Sequence, residues 1–180
     1  MLFRILKLVF IFIAAAGIVF SAKAQTAVVY FSKTGTTQSV AEAVKHFTNA
    51  DLFKIETIDS YPEDLKETQA IVKKEMSEGF ARPIKVVDID LNKYEIIVLA
   101  SPVWFGHIAS PLRSWIKSVK LDGKRILTAV TFGGGGKMET RHDFEELLKN
   151  SELGSQLSIS GSVGEDSSAV KAWLSENKAL

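Results

Sequence analysis

Three runs constrain this chain more than any others. Thr26–Phe31, Glu95–Ala100 and Arg125–Phe132 are almost wholly apolar, β-branched or aromatic. Short runs without polar alternation fit strands buried on both faces. Between and after them, apolar residues recur at helical spacing. Val40, Ala43, Val44 and Phe47 mark a helix over Thr36–Phe47. Leu65, Val72 and Met76 mark another over Glu63–Glu78, ended by the stretch from Gly79 to Pro83. Ser110 as cap and Pro111 in the first turn open a third, whose apolar face is Leu112, Trp115, Ile116 and Val119. Phe144, Leu147 and Leu148 belong to a fourth; Val170, Trp173 and Leu174 belong to a fifth over Ser167–Glu176.

Two weaker strand patterns complete the series. Leu52–Ile58 is interrupted by charges, and Gln156–Val163 alternates Leu157, Ile159, Gly161 and Val163. Strands alternating with helices imply an α/β fold: a doubly wound parallel sheet of five strands, with helices on both faces. The apolar first, third and fourth strands belong inside, and the more polar second and fifth at the edges. The common order that does this is 2-1-3-4-5, with its switch point between strands one and three.

The first 24 residues stand apart from this pattern. Arg4 and Lys7 precede an uncharged apolar run, Leu8–Phe20, and Ala22-Lys23-Ala24 precedes Gln25. That is the layout of a secretory signal, with a cut expected between Ala24 and Gln25. The alternative is a retained membrane anchor, although the run is shorter than the roughly 20 apolar residues of a comfortable span. Residues 25–180 would then form one domain in an exported, periplasmic or extracellular compartment. Removing Arg4, Lys7 and Lys23 takes the formal charge from +1 to −2. Neither value favours nucleic acid as a partner. The chain has no cysteine, so disulfides, thiolate catalysis, lipid attachment and cysteine-ligated metals are excluded.

Ligands of such sheets bind beyond the carboxyl ends of the central strands. Three loops emerge there. Ser32-Lys33-Thr34-Gly35-Thr36-Thr37 is rich in hydroxyls, holds no acid and enters a helix N-terminus, which suits a phosphate. It also reads as an ordinary turn rich in helix caps. Ser101-Pro102-Val103-Trp104-Phe105-Gly106-His107 places two adjacent aromatics in a loop, suited to a flat ring or to plugging the core under the next helix. His107 reads as a loop hydrogen-bonding residue, with no carboxylate near it in sequence. Thr131-Phe132-Gly133-Gly134-Gly135-Gly136-Lys137 allows close backbone approach. It is no P-loop, because Met138 stands where the Ser or Thr should follow the lysine. It is no dinucleotide fingerprint either, since it follows the fourth strand.

These three loops together resemble those of the flavodoxin family, over nearly all of residues 26–176. The resemblance implies a flavodoxin-like fold with bound FMN. Ser32, Thr34, Thr36 and Thr37 would hold its phosphate, with backbone help from Lys33 and Gly35. Pro102, Val103, Trp104, Phe105 and Gly106 would line one side of the isoalloxazine ring. Phe132, Gly133, Gly134 and Gly135 would meet its pyrimidine edge. Gly106 would be a candidate for a peptide that reorients on reduction. Familiar electron-carrier flavodoxins are strongly acidic and often cover both ring faces with aromatics; this chain is near neutral and has no aromatic after Phe132 in the glycine loop.

The resemblance implies an electron-transfer flavoprotein whose partner is a redox protein or a small-molecule electron donor or acceptor. The alternative is an FMN-dependent NAD(P)H:quinone-type reductase. A receiver domain of the same strand order needs carboxylates where Ser32 and Ser101 stand, and a flavin-free binding module would purify colourless. No metal site is expected, and a membrane partner only if residues 1–24 are retained.

Overall fold

The structure, a computed structural model, describes residues 25–79, 81–134 and 138–180. The expected export signal and Gly135 lie outside the described residues. In chain order the elements are β1 (Thr26–Tyr30), α1 (Thr36–Thr48), β2 (Asp51–Lys54), α2 (Leu65–Ser77), β3 (Ile96–Trp104), β4 (His107–Ile108), α3 (Ser110–Ser118), β5 (Arg125–Phe132), α4 (Thr140–Leu147), β6 (Glu152–Ser160) and α5 (Ser168–Glu176).

Five strands form a parallel sheet in the order β2-β1-β3-β5-β6. This is the flavodoxin-like order expected from the sequence, with β5 and β6 as the fourth and fifth parallel strands. Alternate residues of each central strand feed opposite layers. Ala27, Val29, Phe31, Ile97, Leu99, Ile126 and Val130 pack against Val72 of α2, Leu112, Trp115 and Ile116 of α3, and Phe144 of α4. Val28, Tyr30, Val98, Ala100, Leu127 and Ala129 pack against Val40 and Val44 of α1, and Val170, Trp173 and Leu174 of α5. Trp115 and Phe144 are among the largest fully buried side chains. Each contributes about 3–5 kcal/mol by the cost of truncation to alanine.

The edges depart from the sequence reading. β2 covers only Asp51–Lys54, and the chain leaves the sheet after Ile55, whose N–H donates to the Tyr30 carbonyl. β6 begins at Glu152, earlier than the alternating pattern suggested, and pairs with β5 through a register shift near Ile126 and Thr128. β3 runs on to Trp104 and turns back into β4, a two-residue strand absent from the sequence reading.

Candidate functional site

The first loop leaves β1 and reaches α1 at Thr36. Gly35 sits at φ +89°, a left-handed conformation that favours glycine. Its N–H donates to Ser32 Oγ at 3.1 Å. The Thr34 and Thr36 hydroxyls lie 3.3 Å apart and exposed. Thr37 is buried, and its hydroxyl shares a 2.8 Å hydrogen bond with that of Thr131 on β5. No acidic residue occupies the first turn of α1. The positive end of the helix and the two exposed hydroxyls therefore form a surface suited to an oxyanion.

The second loop is a β-hairpin. Val103 pairs with Ile108 and Trp104 with His107, leaving Phe105 and Gly106 as the turn. Both turn residues have positive φ, +50° and +88°, as a two-residue type I′ connection requires. Phe105 is a strained occupant of its position. Trp104 is half-buried and meets Phe31 and Tyr61 edge-on, with ring centroids 5.4 and 5.0 Å away. Phe105 is 45% exposed, with the Lys73 ammonium 5.3 Å from its ring centre.

The hairpin is tied down from α4. The Gly106 carbonyl accepts a 2.7 Å hydrogen bond from Glu139 N–H. Asp143, buried, accepts from His107 Nδ1 at 3.0 and 3.1 Å and from Ile108 N–H at 2.9 Å, and pairs with Arg113 at 3.0 Å. His107 thus has the orienting carboxylate that its sequence neighbourhood lacked. It comes from 36 positions away.

The three loops meet at one cavity of about 720 Å³. Ser32, Lys33, Thr34, Thr36 and Thr37 line one end. Pro102, Val103 and Trp104 form a side, and Thr131, Phe132, Gly133 and Gly134 another. Gly35, Phe105 and Gly106 are not on its wall. Sequence reasoning missed Glu63, Leu65, Thr68 and Gln69, which bring the start of α2 over the cavity, and Gly161 beyond β6. Leu65 was expected on the buried stripe of its helix; it is 66% exposed and faces the cavity mouth instead. A smaller groove, about 180 Å³, shares Leu65, Thr68, Gln69, Val103 and Trp104 and adds Val72 and Phe105.

Beneath Trp104, the Tyr61 hydroxyl donates to Glu75 at 2.8 Å, and Arg82 stacks over its ring at 3.9 Å. Burial, then the hydrogen bond to Glu75, pushes the Tyr61 phenol well above its ordinary value. Among the described residues no group of histidine and acid side chains could hold a metal ion. Among the same residues no helix is long and apolar enough to cross a membrane.

Comparison with solved structures returns the same architecture. A flavoprotein of Lactobacillus acidophilus NCFM, solved in complex with FMN, aligns over 83% of this chain and 98% of its own, at a TM-score of 0.69 and 22% identity. The two-electron reduced flavodoxin of Megasphaera elsdenii aligns over 86% of this chain and 100% of its own, at a TM-score of 0.55 and 13% identity. No curated protein matches the sequence. The family model described as flavodoxin matches residues 25–177, which takes in all three loops and every strand of the sheet. With the strand order and the cavity at its switch point, that match places the chain in the flavodoxin family.

Proposed function

We propose that this protein binds FMN in the large cavity and uses it to carry electrons outside the cytoplasm. The observation that carries the reading is the convergence of three loops, from the ends of β1, β3 and β5, on one cavity. Its volume, about 720 Å³, lies in the usual range for cofactor sites. The residues fit the group: hydroxyls at a helix N-terminus for a phosphate, an aromatic and aliphatic wall for a ring, and glycine backbone opposite. The FMN held by the Lactobacillus acidophilus relative supports the same assignment.

In this reading Ser32, Thr34 and Thr36 hold the phosphate, and Thr37 positions the loop through Thr131. Gly35 contributes by shaping the turn, since its N–H is already given to Ser32. Trp104, Val103 and Pro102 face the ring, while Phe132, Gly133 and Gly134 offer backbone groups to its edge. Gly135 belongs to the same loop by sequence. Phe105 and Gly106 form the turn of the hairpin that carries this wall, and the Gly106 carbonyl is engaged by Glu139 N–H. Bound flavin supplies the redox chemistry, and the protein supplies binding, orientation and electrostatics.

Export rests on Arg4, Lys7, the apolar run and Ala22-Lys23-Ala24. Mature protein beginning at Gln25 in the exported fraction supports it; intact chain beginning at Met1 in the membrane fraction overturns it in favour of an anchor. A second reading, an FMN-dependent reductase of flat acceptors such as quinones, is favoured by the groove that opens beside Trp104. Absorption during stepwise reduction tests the main reading. A flavin spectrum passing through reduced states without turnover of NADH, NADPH or quinone supports the carrier. Steady turnover of a nicotinamide with a quinone supports the reductase, and absence of any flavin rejects both.

A further inference from the structure

A second cavity, of about 260 Å³, lies behind the hairpin and shares no wall residue with the larger one. Its chargeable wall is built from four elements: Glu75 of α2, His107 of β4, Arg113 and Lys117 of α3, and Asp143 of α4. Both acids are already committed. Glu75 pairs with Arg82 through Oε1 at 2.6 Å and accepts from Tyr61 through Oε2 at 2.8 Å. Both Asp143 oxygens are taken by His107, Ile108 N–H and Arg113. No carboxylate oxygen is left over for a cation.

The donors are not committed in the same way. Ser110, Arg113 and Lys117 stand three and four residues apart, so they share one face of α3. Ser110 was expected to cap this helix, but the cap position is Ala109 and no side chain caps it. The Ser110 hydroxyl lines the cavity, with the residue only 7% exposed, and has no hydrogen-bond partner among the described residues. Lys117 is exposed at the mouth and has no acidic partner among the described residues. The helix end itself adds little: Pro111 has no N–H, and those of Leu112 and Arg113 go to the Ala109 carbonyl. Any preference for an anion therefore comes from side chains.

We propose that this cavity is a second binding site, for the carboxylate or phosphate group of a small molecule. The Ser110 hydroxyl opens onto the cavity without a protein partner among the described residues, so it is free to donate to an accepting oxygen placed there. The same oxygens would take charge-assisted bonds from Lys117 and from the Arg113 nitrogens not used by Asp143. The volume admits a small acid and is below that of drug-sized ligands. The proposal does not depend on what fills the larger cavity.

The test is titration of inorganic phosphate and, separately, of acetate into the full protein with FMN added to saturation. NMR signals of Ser110 and Lys117 report this cavity, and the amides of Thr34 and Thr36 report the first loop independently. Saturable shifts at Ser110 and Lys117, weakened about tenfold in S110A/K117Q, are expected. K117Q alone changes an exposed side chain, keeps the core intact and should weaken binding in the same direction. Tighter binding of phosphate or of acetate then identifies the headgroup. No saturable shift with either anion, or equal affinity in parent and both variants, overturns the proposal. Shifts confined to Thr34 and Thr36 overturn it too, because the anion is then held only by the first loop.

Discussion

Thr37 and Thr131 are 94 positions apart in sequence and share a buried hydrogen bond of 2.8 Å at the floor of the large cavity. The bond ties the first turn of α1 to the end of β5, so two of the three loops are fixed relative to each other. Thr37→Val leaves the Thr131 hydroxyl buried and unpaired, and should cost about 1–3 kcal/mol. The double variant Thr37→Val/Thr131→Val removes both polar groups and should cost clearly less than the two single costs added. Denaturant unfolding of all four proteins measures the difference. Strictly additive costs would mean the hydroxyls do not interact.

Trp104 and Phe105 are neighbours that share the smaller groove but differ at the large cavity. Trp104 lines the cavity and Phe105 does not. Trp104→Ala should weaken FMN by at least the roughly 0.5–1.5 kcal/mol that aromatic pairing adds to buried area. Phe105→Ala should leave FMN affinity within about twofold, a shift under ~0.5 kcal/mol. Flavin fluorescence quenching on titration measures both. Equal loss from the two substitutions would show that the hairpin acts only as a unit.

Asp143 joins α4 to the hairpin and to α3 through His107, Ile108 and Arg113. Asp143→Ala strands a partly buried guanidinium and an unpaired backbone N–H. A cost of roughly 3 kcal/mol is expected, at the low end for a broken buried pair because Arg113 is 30% exposed. Thermal unfolding checks it, and a change under about 0.5 kcal/mol, ordinary for a surface site, would contradict the clamp.

All three tyrosines hold their protons more tightly when folded. Burial pushes Tyr30 up, with Glu42 adding to it. Burial and then the hydrogen bond to Glu75 push Tyr61 up, and burial and then the Asp51 hydrogen bond push Tyr94 up to about 12. Above an unfolded phenol's value near ~10, the unfolded chain binds fewer protons than the native one, so stability falls as pH rises. The loss should begin around pH 10 and continue through the folded values. Phenolate absorbance should rise at lower pH in denaturant than in the native protein. Native phenols ionising at the ordinary value would contradict the buried network.

The sequence made the centre of the sheet legible because β1, β3 and β5 are buried on both faces and carry no polar alternation. It was less informative where partners come from far away. Nothing near His107 announces Asp143, which arrives on α4. The turn at Phe105 and Gly106 was hidden because phenylalanine is a poor signal for a positive-φ position. Leu65 fitted a helical stripe, yet the first turn of α2 lies over the cavity mouth rather than on the core. The phosphate-type loop was legible because its hydroxyls, its glycine and the helix start are contiguous. Residues 1–24 carry a readable pattern that the fold does not address.

The central claim is that Ser32–Thr37 holds the phosphate of FMN. The most direct measurement compares FMN with riboflavin, which lacks that phosphate, in the parent protein and in Thr34→Ala and Thr36→Ala. Each lost charge-assisted hydrogen bond is worth about 1.5–3 kcal/mol, so FMN should weaken about 10- to 100-fold in each variant. Riboflavin should bind the parent far more weakly and be nearly indifferent to both substitutions. Equal parental affinity for the two flavins, or equal loss of both in the variants, would contradict the account.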